Sequence, residues 1–167
     1  MSPSVPLRGL SKEATDLLRS FGGEPTDLYR ALANNDEALK GWIEMAWRLR
    51  TRARTPRALR ELMILRSAQL QRAGWQWSDH FVMALAAGVS RERIEALESW
   101  EKSDLFDERA RAALALTEGM LAGHVSEKVL ADLEAEFDAE ERVELILTAG
   151  FYCMVPRVLD ALRLQPD

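Results

Sequence analysis

Every stop and start signal in this chain is a helical one. Ser11, Thr26, Asp36, Ser90, Asp107 and Ser126 each stand at the opening of a stretch with apolar residues at helical spacing. There a short side-chain oxygen can accept from the exposed amides of a first turn. Gly22-Gly23, Gly88 and Gly123 follow such stretches, where a left-handed residue ends a helix. Thr55-Pro56 joins an N-cap residue to proline at the first helical position, which predicts a helix from there to about Gly74. Asp138 with Glu141 three residues on forms a capping box ahead of a last helix to about Leu164. Pro156 should kink or interrupt that helix, because it has no amide hydrogen and crowds the preceding turn. No run alternates apolar and polar residues as a strand does, so the fold class is all-α, with helices packed around the apolar 145–159 segment. Residues 1–10 carry two prolines and read as an extended arm, and 11–167 as one helical domain, long enough to bury a core without staples or metals.

Composition narrows the function classes. A net charge of −5 argues against a general nucleic-acid binder, although Arg48, Arg50, Arg52, Arg54, Arg57 and Arg60 form a basic run. With no aromatic or glycine-rich binding module beside it, that run reads as a solvated face or a subunit contact. The first residues show no charged start, apolar stretch and cleavage site of an export signal. The longest apolar run, 145–156, is broken by Thr148 and Gly150 and is shorter than the roughly 20 residues of a membrane span, so a core helix and no membrane partner are expected. Cys153 is the only cysteine, which rules out dithiol chemistry within the chain and fits a reducing cytoplasm.

The chemistry-bearing stretch is Arg60 to His80. At 100° per residue Leu59, Leu62, Leu65, Leu70 and Ala73 share one side of the helix and Arg57, Arg60, Ser67 and Gln71 the other, with Glu61 on the border. Glu61 is either an amphipathic edge residue in a helix ion pair or a pocket carboxylate fit for proton transfer. On the next helix Gln76, His80, Met83, Ala84 and Ala87 form one stripe. His80 is the best general acid or base the chain contains, or else a structural histidine. Arg66 falls near the middle of an apolar side and must be paired, with an internal carboxylate such as Glu144 or with an anionic ligand. Trp75 and Trp77 flank Gln76 as core residues or aromatic walls, and Tyr152 and Arg157 are candidates for the same cavity. His124 follows Gly123 in a loop and reads as surface. No metal constellation, phosphate loop, nucleophile elbow or dinucleotide fingerprint is present, so no metal or other cofactor is expected.

These residues resemble the carboxymuconolactone decarboxylase and alkylhydroperoxidase D-like family. Its redox members have a Glu, eleven residues, Cys-x-x-Cys, three residues and a His; Glu61 and His80 occupy the outer positions in register, while Ala73 and Gln76 stand at the cysteine positions. Leu62 to Ala68, Ala86-Ala-Gly-Val-Ser and Phe151-Tyr-Cys-Met-Val-Pro-Arg-Val-Leu-Asp-Ala-Leu extend the similarity over about 36–164. The resemblance implies an all-helical fold of that type assembling as a homotrimer or homohexamer, with the pocket near a subunit boundary. Peroxidase members need both thiols, so Ala73 and Gln76 exclude that route. Decarboxylase members act without a cofactor on a small lactone acid. The expectation is therefore a cofactor-independent lyase or isomerase on a small lactone, carbonyl or carboxylate compound. His80 would transfer the proton, Glu61 would orient it, Gln76 would bond a substrate oxygen, and Arg66 or Arg157 would hold a carboxylate. The alternative is a non-catalytic binding or scaffold protein whose redox site has decayed.

Overall fold

The computed structural model describes residues 2–164, and within them there is no strand. The helices are α1 (Lys12–Ser20), α2 (Asp27–Leu32), α3 (Asp36–Thr51), α4 (Arg57–Gln71), α5 (Gly74–Ala86), α6 (Arg91–Glu95), α7 (Glu108–Ala122), α8 (Glu127–Glu136) and α9 (Ala139–Leu162), with a 3-10 segment at Ala96–Lys102. Most starts are made by the expected caps. Ser11, Ser90, Asp107 and Ser126 accept from the amide three residues on at 3.1, 3.2, 2.9 and 3.4 Å. Asp138 and Glu141 close their capping box at 2.9 and 3.1 Å. For α3 the cap is Asn35 rather than Asp36, and Thr26 precedes α2 without a side-chain bond. The helix predicted from Ser90 to Trp100 is α-helical only to Glu95. It then tightens to 3-10, and the Arg111 guanidinium donates to the carbonyls of Trp100, Glu101, Ser103 and Phe106.

The chain divides into two compact units, one holding the residues up to Arg52 and from Arg157 on, the other Ala53–Pro156. In the first unit Ala14, Leu18, Leu39 and Ile43 form a core against which Phe21, Tyr29 and Trp47 pack. Trp47 stacks on Phe21 at 6.1 Å, donates its indole N–H to the Tyr29 hydroxyl at 3.1 Å, and lies beneath Arg50. Gly23 makes room for it, since a Cβ there would lie 2.6 Å from the Trp47 ring and 2.5 Å from Leu18. Ser4 ties the N-terminal arm down through bonds from its amide and hydroxyl to the carbonyls of Leu162 and Ala161, both at 2.9 Å.

In the second unit the enclosed helix is α4. The apolar 145–159 segment supplies Leu145 and Ala149 to the core, but Val143, Ile146 and Leu147 of α9 face outward. By contrast Leu59 to Leu65 is buried without a break, Arg60 and Glu61 included, while Leu70 is exposed. The polar side of α4 is covered because α9 presents polar groups to it. Ser67 and Gln71 donate to the Tyr152 carbonyl at 3.2 and 2.9 Å. That carbonyl is available because Pro156, four residues on, has no amide to offer it. The proline therefore does not interrupt α9, which runs through it; the freed acceptor is met from α4 instead.

The ends of α4 also differ from the sequence pattern. Pro56 is the N-cap residue, and the Thr55 hydroxyl accepts from Arg60 at 2.9 Å instead of capping. At the other end α4 stops at Gln71 with Arg72 left-handed at φ 55°, and Gly74 is the first residue of α5 rather than a terminator. By length and composition α9 is long and apolar enough to cross a bilayer, with mean hydropathy 1.5 in its most apolar window. Its inward side nonetheless packs into the core of this unit.

Glu144 of α9 accepts from the amides of Arg54 and Thr55 at 2.7 and 2.8 Å, tying down the entry to α4. Burial pushes its carboxyl upward, but those two amides outweigh it and hold the group below its ordinary 4.5. A depressed folded value means this stability is complete above the unfolded value and is lost as pH falls below it. Melting of wild type and Glu144→Ala between pH 3 and 7 should show the widest gap at neutral pH, beginning to close only as pH falls below about 4.5. A gap independent of pH would show that the carboxylate charge is not what holds the Arg54–Thr55 turn.

Candidate active site

Glu61 has no exposure to water, and two groups meet its carboxylate, one by ion pairing and one by a hydrogen bond. Arg57, one turn earlier on α4 and about a quarter exposed, pairs with Oε1. His80 of α5 is 2.7 Å away through Nδ1 to Oε2. A carboxylate can only accept, so Nδ1 carries the hydrogen and Nε2 of the neutral ring is left with its lone pair. The His80 ring meets Tyr152 edge-on, with centroids 4.9 Å apart and planes at 87°. Tyr152 is set in turn by the bonds of its carbonyl to Ser67 and Gln71. Arg60 lies beside the pair. Burial first, then the Arg57 charge, press its guanidinium below its ordinary value, while Glu144 and Glu61 act in the opposite sense.

Gln76 stands one turn before His80 on the same face of α5 and is fully buried. Its Nε2 donates to the Ile64 carbonyl of α4 at 3.1 Å, and its Oε1 is buried with no donor among the described residues. The site thus offers two lone pairs one helical turn apart, on His80 Nε2 and Gln76 Oε1, backed by a carboxylate that can stabilise an imidazolium.

The candidate residues are not all brought together. Glu61, His80, Gln76 and Tyr152 converge. Arg66 is drawn away: it donates to Glu118 at 2.8 Å and to Gln69 at 3.1 Å, and Glu118 also accepts from the Trp100 indole at 2.7 Å. The internal pair expected for Arg66 therefore exists, with Glu118 rather than Glu144 as partner, because five residues place Arg66 about 140° around α4 from Glu61. Trp77 packs on the core and against Phe81 at 6.2 Å, and Trp75 is half-buried. Arg157 is exposed and belongs to the other unit. His124 is exposed, as its loop position suggests. Glu61 is not a border residue, since its side of α4 is covered. Arg57, read from sequence only as part of a basic run, is a member of the site. The signal was present in its i,i+4 spacing to Glu61. Arg48 and Arg54 of the same run are likewise spent on Glu44 and on Glu140 and Asp138. Among the described residues no group of three or more His, Cys, Asp or Glu side chains could hold a metal ion.

Comparison with solved structures shows the same fold at low identity. The chain aligns over its full length with 94% of a cysteine-to-alanine variant of the debrominase Bmp8 in complex with 2,3,4-tribromopyrrole, at TM-score 0.79 and 16% identity. It aligns over 98% of its length with 90% of an uncharacterized peroxidase-related protein from Silicibacter sp. TM1040, at TM-score 0.77 and 18% identity. A protein of unknown function from Agrobacterium tumefaciens, carrying an AhpD antioxidant-defence description, matches 81% of this chain with 94% of its own, at TM-score 0.71 and 20% identity. No curated protein matches the sequence. The carboxymuconolactone decarboxylase family model matches residues 36–119, which begin at α3 and take in Arg57, Glu61, Gln76 and His80. With just over half of its residues covered by that model, the chain belongs to the carboxymuconolactone decarboxylase family.

Proposed function

We propose that the chain is a cofactor-independent lyase or isomerase that moves a proton on a small lactone, carbonyl or carboxylate compound. The observation behind this reading is the buried Arg57–Glu61–His80 series, in which His80 Nε2 keeps a free lone pair. His80 Nε2 takes a proton from a carbon next to a carbonyl, and the electron pair moves onto the carbonyl oxygen as an enolate. Glu61 stabilises the imidazolium so formed, and Arg57 balances the buried carboxylate throughout. In an isomerase the imidazolium returns the proton to a different carbon; in a decarboxylase His80 takes the proton of the carboxyl group instead, the C–CO₂ bond breaks with its electron pair moving onto the carbonyl oxygen as the enolate, and the imidazolium protonates the carbon that CO₂ has left. Tyr152, and Trp75 beside Gln76, are the candidate walls. Arg66 is left out of the binding set because Glu118 holds it, and no role is given to Arg157.

A second reading, a binding protein with a decayed redox site, is favoured by one feature. Gln76 bonds the Ile64 carbonyl as a structural core residue would. Turnover separates the two. With a panel of small lactones, β-keto acids and enol acids, the first reading expects product formation, or deuterium uptake from heavy water into substrate. Absence of both across the panel favours the second.

Homotrimer or homohexamer assembly belongs to the same proposal. Its surface is placed on α9, where Val143, Ile146 and Leu147 are exposed at i, i+3, i+4 spacing.

His80→Ala and Glu61→Gln should each lower kcat/KM by about 10²–10⁴-fold, and the double variant by little more, because the pair acts as one unit. Glu61→Gln should also melt lower, as it removes the counter-charge of Arg57. Losses that multiply in the double variant would show that the two residues act separately. Peroxide consumption with dithiol reductants should be absent in wild type. Activity that persists in Cys153→Ser would mean that peroxide is reduced without a thiol. Sedimentation of wild type should give a closed oligomer that Val143→Glu with Ile146→Glu dissociates, and a monomer at micromolar concentration would defeat the assembly proposal.

A further inference from the structure

The Gln76 amide has only one orientation that satisfies the fold. Its Nε2 is spent on the Ile64 carbonyl at 3.1 Å. Turning the amide over would place Oε1 against that carbonyl, two acceptors face to face in a buried setting. The remaining atom is therefore Oε1, fully buried and without a donor among the described residues. A buried acceptor of this kind calls for a hydrogen from outside the protein. One turn further along the same face of α5, His80 Nε2 is a second acceptor, because Nδ1 holds the hydrogen against Glu61.

We infer that the ligand of this site meets Gln76 with a hydrogen donor, a hydroxyl or an N–H, and not with a carbonyl or carboxylate oxygen. The inference rests on the proposed role of the His80 site and sharpens its substrate class. The compound carries two donating positions: an acidic hydrogen that His80 Nε2 can take, and a separate hydroxyl or ring N–H that Gln76 Oε1 accepts. Hydroxy- and enol-bearing carbonyl compounds and N–H heterocycles fit this description. A compound whose only polar atoms are carbonyl and carboxylate oxygens would set lone pair against lone pair at Gln76. A substrate oxygen bonded by Gln76 is accordingly a hydroxyl oxygen, and a nitrogen bonded there is an N–H. A cysteine-to-glutamine exchange at this family position thus replaces a thiol with an acceptor aimed at the ligand.

The test uses two rings of the same size that differ in one atom: pyrrole, whose N–H donates, and furan, whose oxygen does not. Each is titrated into ¹⁵N-labelled wild-type protein to about 100 mM, where even millimolar affinities saturate. The Gln76 side-chain amide and His80 ring signals report binding. Pyrrole is expected to bind about tenfold more tightly than furan, the preference that one buried hydrogen bond produces. That preference should disappear in both Gln76→Met and Gln76→Leu, two apolar replacements whose melts verify folding. Equal binding of the two rings, tighter binding of furan, or no response to either ring overturns the assignment. A pyrrole preference that survives both substitutions but is lost in His80→Phe moves the donor contact to His80 and equally overturns it. The readout is binding alone, so a protein that turns nothing over can still show the preference, and an active one can lack it.

Discussion

A carboxylate withdrawn wholly from water costs several kcal/mol unless charged and hydrogen-bonded partners surround it. Glu61 is such a group, and much of the second unit is arranged around it. Arg57 reaches it from the turn before on the same helix, so one partner is supplied by α-helical spacing alone. The other must come from a separate element, and the reversal at Arg72–Ala73 brings α5 back along α4 far enough for His80 to donate. Removing Arg57 would leave the charge without balance, and removing His80 would leave Oε2 without its hydrogen bond. The pair is therefore a constraint on how α4 and α5 lie against each other as well as a source of chemistry. Gln76 adds a second link in the same place, from its amide to the Ile64 carbonyl.

The third wall depends on a missing hydrogen. Pro156 cannot donate to Tyr152, and that carbonyl would be an unsatisfied acceptor in a packed interface. Ser67 and Gln71 supply the donors, so a defect in α9 becomes its attachment to α4. The same attachment fixes the stretch that carries the Tyr152 ring against His80. Glu144, two turns earlier on α9, secures the Arg54–Thr55 segment that leads into α4. Two residues of one helix thus position the beginning and the far half of the helix that holds Glu61.

Much of the helical layout was legible because caps are local. Ser11, Ser90, Asp107, Ser126 and the Asp138–Glu141 box act within four residues, and each works as its position suggests. The misreadings occur where a local signal met a nonlocal partner. Thr55 looks like a cap, but Arg60 takes its hydroxyl. Gly74 looks like a terminator, but Arg72 accepts the left-handed turn and Gly74 opens α5. Arg66 needs an internal carboxylate or an anion, and the carboxylate is Glu118, fifty-two residues away, rather than Glu144.

By itself the sequence determined the helical class, the Glu61–His80 register and the loss of both motif thiols, since each depends only on residue type and spacing along one chain. Tertiary structure decided the rest. Helical phase can say that Arg60, Ser67 and Gln71 share a side of α4, but not whether that side faces water or a second helix. The bonds from Ser67 and Gln71 to α9, and the approach of His80 from α5, make that side an interior and Glu61 a buried charge. Likewise, both atoms of the Gln76 amide are equivalent in a sequence. The Ile64 carbonyl, by accepting from one of them, leaves the other as the acceptor.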